Sequence, residues 1–352
     1  MASFVSTDFI SKFMSMTQRE KMIAIGQITG YEPSKDDQEF NIALTLVGKN
    51  AWRLVDRVML DFKSKRTDKY HKLYRDQLGV ILANLYETYS IQDYLFTYYS
   101  KSNSDYKETT RYNPNKISAR PLRFLADSLI KHGWVGTSQW FYDENNKENR
   151  WCSRMRPSKK LIQAFKKFKI TPKCIYRKPM EYIRLKDSKK RLEEYENTPV
   201  TNLMRNRLSA YNSLIFQTNI RLKRSKKINE YLELKPTNFN DTEYYRVFNG
   251  GSFELGGRFY GPWWVTLSKD ARGNITLNGE KTIELDYSSI GIHLLYSQEN
   301  LNYYDLNGNN SDPYTLKGID PEEREVNKKI ITFALNMSPE DRHRKFVYTV
   351  RK

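Results

Sequence analysis

The chain has 352 residues, 39% hydrophobic and 14% aromatic, and its 59 Lys and Arg against 41 Asp and Glu give a formal net charge of +18. That much apolar and aromatic material excludes a largely disordered chain, and two cysteines with four scattered histidines exclude a disulfide framework and a structural zinc site. No stretch approaches the ~18 apolar residues of a membrane span, and the opening MASFVSTDFISKF lacks a basic segment followed by an apolar run. The expectation is a soluble, cytoplasmic protein of two domains, or of one large domain with appendages.

The placement of the charge says more than its size. Residues 1–150 carry 22 basic and 18 acidic side chains, residues 151–235 carry 23 and 7, and residues 236–352 carry 14 and 16. A basic excess confined to one segment attracts a polyanion by counterion release and steering, which points to nucleic acid. The alternative is a Lys-rich solvated helix surface. An anionic membrane is disfavoured because no amphipathic anchor accompanies the charge.

In chain order, residues 1–60 mix apolar and charged residues at helical spacing. QLGVILANLYETY (77–89) sets Leu78, Ile81, Leu82 and Leu85 on one helical stripe. SARPLRFLADSLIKHGWV (118–135) predicts a helix with Ser118 as N-cap, Leu122, Leu125, Leu129 and Ile130 on its apolar face, and Gly133 just past its end. WVGTSQWFY and RWCSRMR then read as two strands around the turn-like DENNKEN, and SKKLIQAFKKFK (158–169) as another helix. This helix–hairpin–helix order resembles a winged helix-turn-helix replication initiator, in which one helix enters the major groove and the wing touches phosphates. The resemblance implies nucleic-acid contacts from Arg120, Arg123, Arg154, Arg156, Lys159 and Lys160. An ordinary α+β packing unit with a basic face is the other reading.

Residues 173–235, including KDSKKRLEEYENT and NLMRNRLSAYNSLIFQTNIRLKRSKK, read as helix with basic interruptions. Leu203, Leu208, Tyr211, Leu214 and Ile215 form its apolar stripe. ELKPTNFNDTEYY (233–245) is polar, contains Pro and Asn, and marks a domain break. The expected division is therefore a helical and winged-helix-like region at 1–172, a basic helical connector at 173–240, and a third region at 241–352.

That third region holds the chemistry. RVFNGGSFELGGRFYGPWW is rich in glycine and aromatics, turns follow at KDARGN and LNGE, and KTIELDYSSIGIHLLYS reads as a strand over Thr282–Asp286 running into a helix from about Ser288. DPYTL and PEEREVNKKIITFALN supply a loop and a helix capped near Asp320. An Asp inside an apolar run needs an arginine, backbone amides or a metal ion as partner. One candidate partner for Asp286 is Arg258. Arg324 and Lys328, four apart, share a helix face. His293 reads as a packed or capping histidine.

The order of these segments resembles the single-subunit nucleic-acid polymerases, the DNA polymerase I-type enzymes and phage-type RNA polymerases. Asp286-Tyr287-Ser288-Ser289-Ile290 is similar to the first palm motif, GGRF to the Gly-Arg element leading into the palm, and DPY with the following helix to the fingers region; the match spans roughly residues 244–340. The resemblance implies Mg²⁺ or Mn²⁺ on Asp286, a triphosphate held by Arg324 with either Lys328 or Lys329, and template or primer positioned by Arg258. It also places Tyr287 and Gly291 at the nucleotide sugar, where Gly291 replaces the side chain that excludes ribose and so implies acceptance of ribonucleotides. A second palm carboxylate is not found after residue 340, where DRHRKFVYTVRK ends the sequence. The expected fold is α+β and helix-rich, with a winged-helix-like N-terminal domain and a partial palm and fingers. The expected function is that of a DNA-binding replication protein of a phage, plasmid or other mobile element. It would perform metal-dependent, template-directed nucleotidyl transfer, or else act as a non-catalytic initiator or regulator.

Overall fold

The computed structural model describes residues 37–62, 68–106, 110–138, 152–309, 311–316, 318 and 320–336. The fold is α+β, and the chain divides into two compact units between Thr282 and Ile283. No helix among the described residues is long and apolar enough to cross a membrane.

The first unit begins with β1 (Gln38–Glu39), β2 (Leu44–Leu46) and α1 (Lys49–Met59), which leads into a 3-10 turn at Leu60–Phe62. At its centre lies α2 (His71–Ile91). The apolar stripe read from residues 77–89 is buried, and Val80, Ala83 and Tyr74 are buried as well, so this helix is enclosed on more than one side. Fully burying each large aliphatic side chain contributes about 1.5–3 kcal/mol. The buried polar residues of α2 are answered internally: Asn84 Nδ2 donates to Asn41 O and Val80 O at 3.0 and 2.9 Å, and the Thr88 and Thr97 hydroxyls meet at 2.8 Å.

Then come β3 (Thr97–Tyr99), α3 (Ala119–Lys131), β4 (Val135–Ser138), β5 (Ser153–Pro157) and α4 (Lys159–Lys167). α3 follows the predicted bounds. Ser118 occupies its N-cap position, and Gly133, at φ 68°, turns the chain so that Trp134 N donates to Leu129 O at 2.9 Å. Ser158 Oγ caps α4 by accepting from Leu161 N. The strands lie in the order β1-β3-β5-β4, with both neighbours of β5 antiparallel to it. The two strands predicted around DENNKEN thus pair, and the turn itself lies outside the described residues.

Residues 175–234 depart from the expected run of helices. They hold β6 (Ile175–Arg177), β7 (Ile183–Lys186) and β8 (Leu192–Glu193) before α5 (Pro199–Gln217), β9 (Ile220–Leu222) and α6 (Lys226–Leu234). KDSKKRLEEYENT is not a helix because Asp187 caps a tight turn, its Oδ1 accepting from Lys189 N and Arg191 N, with Lys190 at φ 62°. The stripe assigned to the α5 segment is buried only at Leu208; Leu203, Tyr211 and Leu214 are exposed.

Beyond the predicted break, β10 (Tyr245–Asn249), β11 (Ser252–Tyr260), α7 (Lys269–Arg272), β12 (Ile275–Leu277) and β13 (Glu280–Lys281) complete the first unit. β10 pairs in parallel with β7 and β12 pairs with β9, so residues 241–282 are tied to the segment before them, and the division falls some forty residues later than the polar stretch at 233–245. Asn278 and Gly279, at φ 52° and 91°, turn the β12–β13 hairpin. In β11 the pair Gly256-Gly257 sits at a register shift, with φ 89° and 74°. A Cβ on Gly257 would lie 2.9 Å from the Phe248 ring, and Arg246 Nε donates to Gly257 O at 2.9 Å, so glycine is required there by both space and backbone.

The second unit contains α8 (Ile290–Gln298), α9 (Tyr303–Asn307) and α10 (Arg324–Asn336), the last preceded by a 3-10 turn at Pro321–Glu323. Its packing rests on rings, His293 and Tyr296 against Tyr303, and on the buried Tyr314. The strand expected at Thr282–Asp286 is not formed among the described residues: β13 ends at Lys281, and 282–286 carry no regular secondary structure. Ile283, Leu285 and Tyr287 alternate as a strand would, yet they are 85%, 90% and 81% exposed. No strand pairs with this segment among the described residues, and alternation alone does not make a sheet.

Candidate nucleic-acid interface

The α3–β4–β5–α4 arrangement brings six predicted cations into one region of the first unit, but it treats them differently. Arg120, in the first turn of α3, is exposed and forms no ion pair among the described residues; it borders a cleft of about 500 Å³ with Tyr70, Asn103, Tyr106 and Ser118. Lys159, at the start of α4, is likewise exposed and forms no ion pair among the described residues. Arg123 is partly held, its Nη1 donating to Lys101 O at 2.8 Å and Nη2 to Asn103 Oδ1 at 3.2 Å.

The remaining three have protein partners. Arg154 Nε donates to Asp37 Oδ2 at 2.8 Å, in a pair whose side chains are only 11% and 3% exposed, and its guanidinium also lies over Tyr98. Arg156 covers the Phe96 ring with its guanidinium 4.7 Å from the centroid. Lys160 reaches Asp61 Oδ2 at 3.2 Å and His132 O at 2.9 Å, and sits 4.0 Å from the Trp134 ring. Burial works to raise the Asp61 pKa, but hydrogen bonds from Arg57, Lys160 and Trp134 outweigh it and hold the carboxyl below its usual range. Arg154 and Lys160 are therefore fastened to buried or half-buried carboxylates, and the cations left for an anionic partner are Arg120, Lys159 and part of Arg123.

Arg258 lies on β11, exposed and opposite Val247 of β10. Sequence reasoning missed the company it keeps. In the β8-β7-β10-β11 sheet, Arg184 pairs with Val247, Val247 with Arg258, and Tyr245 with Tyr260, so these side chains share one face. The opposite face, with Ile183, Leu185 and Phe248, packs with Leu208 of α5. The signal was present as the alternations Tyr245-x-Val247 and Arg258-x-Tyr260, but the partner strand β7 lay in a segment read as helix.

In the second unit Asp286 is exposed on the irregular segment before α8, and it forms no ion pair among the described residues. Tyr287 is exposed beside it. Gly291 is in the first turn of α8, where a Cβ would touch Leu335 of α10 at 3.4 Å, an ordinary contact. Arg324 is engaged: Nε donates to Asp312 Oδ2 at 2.6 Å, Nη2 to Asp312 Oδ1 at 3.3 Å and Nη1 to Glu325 Oε1 at 2.7 Å. Asp312 is the Asp of DPY, so the loop and helix predicted to act together are joined by a forked ion pair. Burial works to raise the Asp312 pKa, and the hydrogen bonds from Arg324, Thr315 and Tyr314 N hold it low. Lys328 and Lys329 are both exposed. His293 is packed against Tyr303 and Tyr304.

No three His, Cys, Asp or Glu side chains among the described residues converge as a metal-binding group. Mg²⁺ and Mn²⁺ take oxygen ligands in an octahedral arrangement, usually one or two carboxylates with substrate phosphates. Asp286 offers one exposed carboxylate, so either ion held there would need substrate phosphates and water for the rest of its oxygen ligands. Compared with family models, curated proteins and solved structures, the chain matches none of them.

Proposed function

We propose that the chain is a DNA-binding replication protein of a mobile element that grips duplex DNA with a winged-helix-like element of its first unit. The observation that carries this reading is the run α3–β4–β5, in which a helix with exposed Arg120 leads directly into an antiparallel hairpin whose third strand is β3. In a winged helix-turn-helix a helix so placed enters the major groove and the hairpin tip contacts the backbone. The concentration of positive charge in residues 151–235 supports it. Arg120, Lys159 and Arg123 are the contacts of this reading, while Arg154 and Lys160 hold the element together. Arg120→Ala lowers duplex affinity and reduces the slope of log affinity against log salt by about 0.9, the loss of one phosphate contact. An unchanged affinity and slope would remove α3 from the interface.

A second reading, nucleotidyl transfer by the second unit, is favoured by one observation: Asp286 is exposed and carries no protein counter-charge among the described residues. In this reading the carboxylate is left for a metal that substrate phosphates complete, and Lys328 or Lys329, both exposed, meets the triphosphate. Extension of a primed template by the full chain with Mg²⁺, compared with Asp286→Ala, decides it. Equal signals from the two chains reject catalysis at Asp286, and a signal lost only in the variant assigns it.

A further inference from the structure

Arg184, in the middle of β7, is half-buried, and its Nε is closed off from solvent with no hydrogen-bond partner. It forms no ion pair among the described residues; its guanidinium lies 3.4 Å from the centroid of the Tyr245 ring, and Glu39 attracts it from beyond ion-pair distance. Burial pushes its pKa down, and the Tyr245 side chain, Tyr112 and Glu39, which favour the charged form, do not fully offset it. A cation held in that way is a costly feature unless an anion arrives to meet it.

The sheet register shows what else shares its face. Lys186 follows two residues along β7, Arg258 stands across Val247, and Tyr260 stacks on Tyr245 at 6.0 Å and 23° with 40% of its own surface exposed. The paired positions of this face hold three cations, two tyrosines and no acidic residue. Cations spaced along a face beside an exposed ring fit a polyanion whose planar groups are bare, because stacking needs an unpaired base while phosphates need only charge.

We propose that this face of the β8-β7-β10-β11 sheet binds single-stranded DNA, with Tyr260 stacking on an unpaired base and Arg184, Lys186 and Arg258 taking the backbone phosphates. The choice of DNA over RNA rests on the function proposed above; the stacking and charge argument does not. Arg258 and Tyr260 belong to β11 and Arg120 to α3, so the two contacts can be mutated independently.

The test is fluorescence anisotropy on the full chain with a labelled oligothymidylate, an oligouridylate and a duplex. Tyr260→Ala weakens oligothymidylate binding about tenfold while Tyr260→Phe, which keeps the ring, binds as the parent does. Arg258→Ala, at an exposed position where folding is not at stake, lowers the single-strand salt slope by about 0.7. Neither change alters duplex affinity, and Arg120→Ala leaves oligothymidylate binding intact. The proposal is overturned if the parent binds duplex but not oligothymidylate, if Tyr260→Ala and Arg258→Ala both bind oligothymidylate like the parent, or if oligouridylate binds tenfold tighter. A parent that binds neither DNA form rejects the DNA-binding function itself along with this face.

Discussion

Replacing Arg154 separates a structural arginine from a nucleic-acid contact. Its Nε donates to Asp37 Oδ2 at 2.8 Å, and both side chains are almost wholly buried. Removing the cation alone leaves a buried carboxylate, and breaking such a pair from one side costs about 3–5 kcal/mol. Asp37 Oδ1 still accepts from Phe96 N at 3.0 Å, which offsets part of the loss and favours the lower end, about 3 kcal/mol, for Arg154→Met. Asp37→Asn alone removes the guanidinium's carboxylate by a similar logic, although Nη1 still donates to Cys152 O at 3.1 Å. In the double variant neither charge is stranded, so the double should be less destabilised than the sum of the singles by about 1–3 kcal/mol. Urea unfolding of the four chains, followed by circular dichroism, measures that coupling, and duplex titration of the folded variants measures affinity separately. Additive losses below about 0.5 kcal/mol, with duplex affinity falling in Arg154→Met, would show that Arg154 serves the ligand and not the fold.

Three other outcomes follow from the same structure. Arg177 joins Glu87 at 3.4 Å and Asp241 at 2.8 Å, and burial raises the pKa of both carboxyls despite it. Groups raised in this way add stability that is full below their unfolded values of about 4.3 and 3.9 and is lost as pH climbs through the folded ones. Arg177→Met lifts both folded values further, so its deficit, about 2 kcal/mol at pH 7 after allowance for partial exposure, should shrink on acidification toward pH 4 in urea titrations; a deficit that grows in acid would refute the assignment. Gly257→Ala should lose about 2 kcal/mol or more, read from the same unfolding curves, because the added carbon meets Phe248 at 2.9 Å in a backbone at φ 74°. Gly291→Ala should be neutral or gain up to ~1 kcal/mol in thermal unfolding, since its Cβ finds Leu335 at ordinary distance in a helix; a clear loss would mean that the backbone there needs glycine.

The sequence made some of this legible and hid the rest for identifiable reasons. The α3 helix was readable because its apolar period, its N-cap Ser118 and its Gly133 stop agree, and the stripe of α2 because its apolar residues leave little choice. KDSKKRLEEYENT misled because charged residues at helical spacing also suit a turn, and Asp187 closes one. The polar stretch at 233–245 does not separate two packed units because β7 and β10 pair across some sixty residues, which no local pattern reveals. The same distance problem concealed Arg154: its carboxylate is 117 positions away. Ile283, Leu285 and Tyr287 carry a genuine strand alternation, but a strand exists only where another supplies hydrogen bonds. Motif order singles out Asp286, and its exposure is not readable from an apolar run.

The most direct measurement for the central claim is the affinity of the unaltered chain for a duplex as salt rises from 50 to 200 mM. Three phosphate contacts, from Arg120, Arg123 and Lys159, predict a fall of roughly fortyfold, with a log–log slope near −2.7. An affinity that stays level over that range, or no measurable binding at the lowest salt, would contradict the account.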